Sequence, residues 1–107
     1  MTPVIILTTV GTSFDAAGFA RELVEARLVA CVNIVERIRS IYAWQGKVED
    51  DTEQLLVMKT TAERVPQLKE AVFARHPYEV PEFVVLSIDA IEGPYREWLL
   101  SAVGYQV

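Results

Sequence analysis

Four β-rich stretches and two amphipathic helical patterns follow one another as strand, helix, strand, strand, helix, strand, with a further helical pattern at the C-terminal end. That order predicts an α+β domain of the split βαβ, ferredoxin-like kind, an antiparallel four-stranded sheet with both main helices on one face. Two further observations tie the elements together. Only Gln45 and Gly46 separate the second and third strand patterns, which makes them a hairpin, and Pro77 and Pro81 interrupt the chain between the second helix and the last strand. The 107 residues suit a single domain, 1–107, and no repeat or linker divides them.

Val4 to Leu7 is a short apolar run with β-branched residues, continued by Thr8, Thr9 and Val10 and closed by Gly11, and it reads as a buried central strand. Ser13 is placed to cap the next element. There Ala16, Phe19, Ala20, Leu23 and Val24 recur at helical spacing opposite Arg21, Glu22 and Glu25, which predicts a helix ending near Arg27. From Leu28 to Trp44 the pattern is one long strand. Its alternation changes phase, however, with Ile38, Ser40, Tyr42 and Trp44 on one face and Arg39, Ile41 and Ala43 on the other, so a bend or bulge is expected near Glu36 to Arg39. The third strand covers Lys47 to Thr60, acidic at first and apolar from Leu55 to Met58. The resulting long hairpin projects beyond a small core, and an exposed aromatic tip of this kind needs a partner surface.

Thr60 and Glu63 have capping-box spacing, and Val65, Leu68, Val72 and Phe73 supply the apolar stripe of a second helix reaching Ala74 or Arg75, with Pro66 in its first turn. Phe83 to Ile88 forms the fourth strand. Gly93 and Pro94 open a last helix with Tyr95, Trp98, Leu99 and Ala102 on one face.

Fifteen acidic residues against 10 basic ones give a net charge of −5, with no cluster of lysine and arginine, so nucleic acid and anionic membrane are unsuitable partners. No apolar run is long enough to span a membrane, and no basic segment precedes one at the N-terminus, so a cytoplasmic location is expected. The single Cys31 cannot form an internal disulfide, and its apolar neighbours Ala30 and Val32 make it a small buried side chain. The 51% hydrophobic content is high for so small a chain and points to apolar surface buried between subunits.

The segment His76, Pro77, Tyr78, Glu79, Val80, Pro81, Glu82 concentrates the candidate chemistry, since it holds the sole histidine beside a phenol and two carboxylates. His76, Glu79 and Glu82 are the candidate metal ligands. Alternatively His76 caps the end of the second helix, a cation at the negative end of the dipole. One imidazole and one or two carboxylates fall short of the three or four protein ligands of an ordinary zinc centre, so symmetry-related residues would have to complete the set. Glu49, Asp50, Asp51 and Glu53 lack the glycine and ligand alternation of a calcium loop and read as a solvated strand face or as partners for arginines of a neighbouring subunit. Tyr42, Trp44, Tyr78, Tyr95 and Trp98 suit an interface or a pocket formed where subunits meet. No nucleophile with a histidine partner, phosphate loop or metal-hydrolase motif is present, so no enzymatic activity is expected.

Four blocks, Arg27 to Ile34, Ser40 to Lys47, Lys59 to Thr61 and His76 to Glu82, resemble the CutA family of divalent-cation tolerance proteins in the same order and over nearly the whole chain. The resemblance implies a ferredoxin-like protomer in a tight homotrimer built through the long strands, and a link to tolerance of copper (Cu²⁺) and other divalent metals. It also implies kinship with trimeric PII-type signalling proteins, and so an alternative role as a sensor binding an anionic metabolite in the cleft between subunits. Some members carry a cysteine at the end of the first strand and two successive histidines that have been regarded as copper ligands. Here Thr8 or Thr9 and Arg75 stand at two of those places and His76 alone is kept.

Overall fold

The computed structural model describes residues 1–104. Strands β1 (Pro3–Gly11), β2 (Cys31–Trp44), β3 (Lys47–Thr61) and β4 (Val84–Ser87) form one antiparallel sheet in the order β2-β3-β1-β4. Helix α1 (Ala16–Glu25) joins β1 to β2, and α2 (Val65–Arg75), preceded by a single 3₁₀ turn over Ala62–Arg64, joins β3 to β4. Helix α3 (Gly93–Ala102) follows β4. This is the split βαβ order that the sequence predicts.

Alternation along the strands decides where the core lies. Val4, Ile6 and Val10 of β1 and Leu56 and Met58 of β3 point to one face, where they are buried with Phe19 and Leu23 of α1 and Leu68 and Val72 of α2. Side chains of the other parity look to the opposite face. Ile5, Leu7, Leu55 and Val57 are half-buried there, while Val35, Val84 and Leu86 are exposed. This second face is therefore apolar at its centre yet left open by α1 and α2, an arrangement that costs hydration free energy unless something packs on it.

Gln45 and Gly46 turn the hairpin with φ of 50° and 78°, the two positive values of a type I′ turn, whose twist matches that of the strands. Residues 53–61 of β3 pair with β1, whereas residues 47–52 pair with β2 alone, so the hairpin continues as a two-stranded ribbon beyond the core. The molecule measures 48 × 27 × 22 Å as a result. The register slips between Val35 and Ile38, where Glu36 and Arg37 oppose the single residue Gln54, and Arg37 takes φ 61°. This is the expected bulge, with arginine in the left-handed conformation that glycine ordinarily fills. The extra residue shifts the phase of β2, so that Ser40, Tyr42 and Trp44 share the second face with Asp51, Glu49 and Lys47, while Arg39 and Ile41 face the other way.

Several local expectations are corrected. Asp15, not Ser13, caps α1, its carboxylate accepting from the Gly18 N–H at 3.0 Å. Thr60 and Glu63 form no capping box: the Thr60 hydroxyl donates to the Leu28 carbonyl at 2.7 Å and Glu63 accepts from the Thr2 N–H at 3.2 Å, because Thr60 points into the core face and away from the helix start. Strand β2 begins at Cys31 and not Leu28, and β4 is shorter than Phe83–Ile88, since Phe83 turns inward to meet Phe73 edge-on at 5.8 Å. On α3 the buried side chains are Leu99 and Leu100, Leu99 packing with Val103 and Ala30, while Tyr95 and Trp98 lie on the exposed side with their rings tilted against each other at 5.2 Å. Cys31 is half-buried, because it belongs to the second face opposite Lys59.

Candidate functional site

The segment after α2 crosses the second face at the root of the hairpin. Pro77 and Pro81 deny it the hydrogen bonds of a helix or ladder, so its side chains and His76 must anchor it. His76 occupies the C-cap of α2, its backbone N–H bonded to the Val72 carbonyl at 2.8 Å. Its ring points away from that helix. Nε2 lies 2.9 Å from the Thr9 carbonyl of β1, and Nδ1 accepts the backbone N–H of Tyr78 at 3.1 Å. A carbonyl only accepts and an amide N–H only donates, so the ring is the neutral tautomer protonated at Nε2. Burial holds its pKa below the ordinary imidazole value, against the opposing pull of the Thr9 bond and the Glu53 charge. His76 thus pins the loop to the sheet as a neutral bridge, which differs from a cation seated on the helix dipole. Both ring nitrogens are committed, and metal ligation would require releasing the Tyr78 N–H.

Tyr78 extends the same anchor. Its hydroxyl donates to Glu53 Oε2 at 2.6 Å, and burial, reinforced by that bond, pushes the phenol pKa up. Beside it the Tyr42 hydroxyl donates to Asp51 Oδ2 at 2.5 Å, and this bond raises its pKa to about 12. Between loop and hairpin lies an open cavity of about 620 Å³, floored by Thr9 and Ser40 and walled by Tyr42, Trp44 and Tyr78. Four carboxylates line it, Asp51 and Glu53 from β3 and Glu79 and Glu82 from the loop, with no lysine, arginine or histidine among the lining side chains.

The structure brings Glu79 and Glu82 to this cavity and places His76 behind its wall. Among the described residues no three histidine, cysteine, aspartate or glutamate side chains converge closely enough to hold a metal ion. A copper ion prefers nitrogen and sulfur donors, and one chain presents it with carboxylates alone, so the donor set of a single chain does not fit that ion. The acidic stretch of β3 was legible as a solvated face, but alternation divides it. Asp50 faces outward in a bidentate pair with Arg39 at 2.7 and 2.9 Å, and Asp51 and Glu53 face the cavity. Glu53, at 6% exposure, is the site residue that sequence reasoning missed, although counting by twos from Leu55 would have found it. Of the aromatic residues, Tyr95 and Trp98 lie apart on α3.

The family model of the CutA1 divalent ion tolerance protein matches residues 4–102. The chain is 49% identical over 100 residues to the divalent-cation tolerance protein CutA of Thermus thermophilus, covering 94% of this chain and 97% of that protein. It is 46% identical over 84 residues to the mouse protein CutA, which covers 78% of this chain but about half, 48%, of the longer mouse protein. The solved structure of the Thermus thermophilus divalent cation tolerance protein superposes with a TM-score of 0.85 at 49% identity, over 91% of this chain and 94% of that one.

Proposed function

Because the chain belongs to the CutA1 divalent ion tolerance family, we propose that it acts in divalent cation tolerance as a homotrimer that binds a divalent metal ion, copper first, without catalysing a reaction. The observation that carries this proposal is that Glu79, Glu82, Asp51 and Glu53 line one cavity, which opens on the uncovered apolar face of the sheet. A second copy packed on that face would close the cavity and add donors to it, which a single chain needs. Glu79 and Glu82 are the ligands this chain would offer. His76 holds them in place through Thr9 and Tyr78, and would ligate directly only by exchanging the Tyr78 bond for the metal. A cavity lined by four carboxylates and no cation suits a positive ligand and repels an anionic metabolite. A cytoplasmic location belongs to the proposal, since a free half-buried thiol such as Cys31 is stable under reducing conditions.

Calorimetry with Cu²⁺ on the wild type, Glu79→Gln, Glu82→Gln and His76→Ala tests it. Loss of heat in the two glutamine variants is the expected result. Equal binding by the wild type and His76→Ala removes the histidine from the ligand set, and absence of binding by the wild type overturns the metal proposal.

A further inference from the structure

Glu53 presents a charge to the cavity. The residue as a whole is 6% exposed, and its neighbours supply its carboxylate with one neutral hydrogen bond, from the Tyr78 hydroxyl to Oε2. Oε1 has no hydrogen-bond partner among the described residues, and no lysine, arginine or histidine pairs with Glu53 there. The fully buried side-chain oxygens without partners among the described residues are the hydroxyls of Thr8 and Thr61, so Glu53 Oε1 keeps access to the cavity that the residue lines. The group that faces the open oxygen is the cavity itself, and the cavity has two chemical characters at once. Its four carboxylates make it anionic, while Tyr42, Trp44 and Tyr78 give it flat apolar walls. A hydrated divalent ion gains nothing from indole or phenol rings. A cation carried on an apolar body uses both, through charge pairing at the carboxylate and through the attraction of a cation for the ring faces.

We propose that this cavity binds a small organic cation, an ammonium or guanidinium group on an apolar body, with Glu53 and Asp51 pairing the charge and Trp44 and Tyr78 flanking the apolar part. The volume of about 620 Å³ lies within the range of small-molecule sites. The phenol hydroxyls do not compete for the ligand. Each donates to a carboxylate, so the rings are held by the same acids that attract the cation, and Glu53 Oε1 is left for it. The inference shares the cavity with the metal proposal but not its ligands, since the metal draws on the loop carboxylates and the organic cation on β3 and the rings.

The test uses the full chain in its native assembly, in buffer containing a chelator so that no divalent ion takes part. A Trp98→Phe background leaves Trp44 as the emitting indole, and benzylammonium is titrated beside its neutral isostere, benzyl alcohol. The expected result is saturable quenching of Trp44 by benzylammonium, at least tenfold weaker binding of benzyl alcohol, and a further loss of tenfold or more for benzylammonium in Glu53→Gln. Glutamine can still accept from Tyr78, so this variant removes the charge and keeps the wall. Equal binding of the two probes, binding unchanged in Glu53→Gln, or no quenching would each overturn the proposal. The last outcome includes the case in which a cationic side chain of an adjoining copy already fills the cavity. Saturable benzylammonium binding by a protein that takes up no Cu²⁺ would uphold this inference and remove the metal proposal alone.

Discussion

His76 shows how much one side chain can settle about a site. As a neutral bridge between the Thr9 carbonyl and the Tyr78 N–H it stabilises the loop only while Nδ1 is unprotonated. Its folded pKa lies below the unfolded value, so the unfolded chain takes up the proton first as pH falls. The stabilisation is therefore complete above the ordinary pKa of 6.5 and is lost as pH drops through the folded value. Urea denaturation of the wild type should show this loss between neutral and mildly acidic pH, and His76→Gln should show a flatter profile across the same window. Tyr78→Phe leaves buried Glu53 without its donor and should cost about 1–3 kcal/mol in the same measurement. The residue types of this site were legible in the sequence, because two prolines and a lone histidine mark Glu79 and Glu82 directly. The partners of His76 were not, since Thr9 lies 67 positions away and contributes only a backbone carbonyl, which every residue possesses.

At the scale of elements, the hairpin and its bulge were legible because both follow from local signals, the Gln45 and Gly46 turn and the change of phase after Val35. Helix caps were harder to read. Ser13 and Asp15 are both good capping residues two positions apart, and the choice depends on the Phe14 N–H bonding to the Gly11 carbonyl, which makes an extra turn before α1. The tie between β3 and that turn, through the Gln54 side chain donating to the Gly11 and Phe14 carbonyls at 2.9 and 3.1 Å, has no sequence signature. The bulge carries a cost of its own. Arg37 at φ 61° is in a region that disfavours a residue with a Cβ by about 1–2 kcal/mol. Arg37→Gly should therefore raise the unfolding free energy by about 1 kcal/mol after glycine's greater unfolded freedom is deducted, as checked by chemical denaturation. Leu56, fully buried where both helices meet β3, marks the opposite case, and Leu56→Ala should cost about 2–5 kcal/mol.

For the whole molecule, the decisive feature is a sheet with one satisfied face. Its second face carries apolar side chains in the middle, and beyond the core a ribbon of two strands displays Ile41, Tyr42, Trp44 and Val48 to solvent. An isolated ribbon of this kind is marginal in water, so the proposed trimer would supply the stability that the protomer lacks. Light scattering after size exclusion should give three times the protomer mass. Leu86→Lys, on that face and at the edge strand, should shift the population to smaller species and lower the midpoint of thermal unfolding. The hydrophobic content of the sequence hinted at such a surface, but not where it lies, because exposure is a property of the packed sheet and not of any one strand.

The extra residue in β2 also decides which side chains of its outer half face the cavity. Past the bulge, Tyr42 and Trp44 look inward and Arg39 looks out to Asp50. Removing Arg37 while keeping the Gln45 and Gly46 turn in place would close the bulge and leave Ser40, Tyr42 and Trp44 opposite Asp51, Glu49 and Lys47, so the turn sets the inward side chains and the bulge absorbs the odd residue. The lining of the pocket is thus written in a residue count as much as in residue identity, since unbroken alternation of the same residues from Val35 would bring Arg37 and Arg39 to that face and set two cations against its carboxylates.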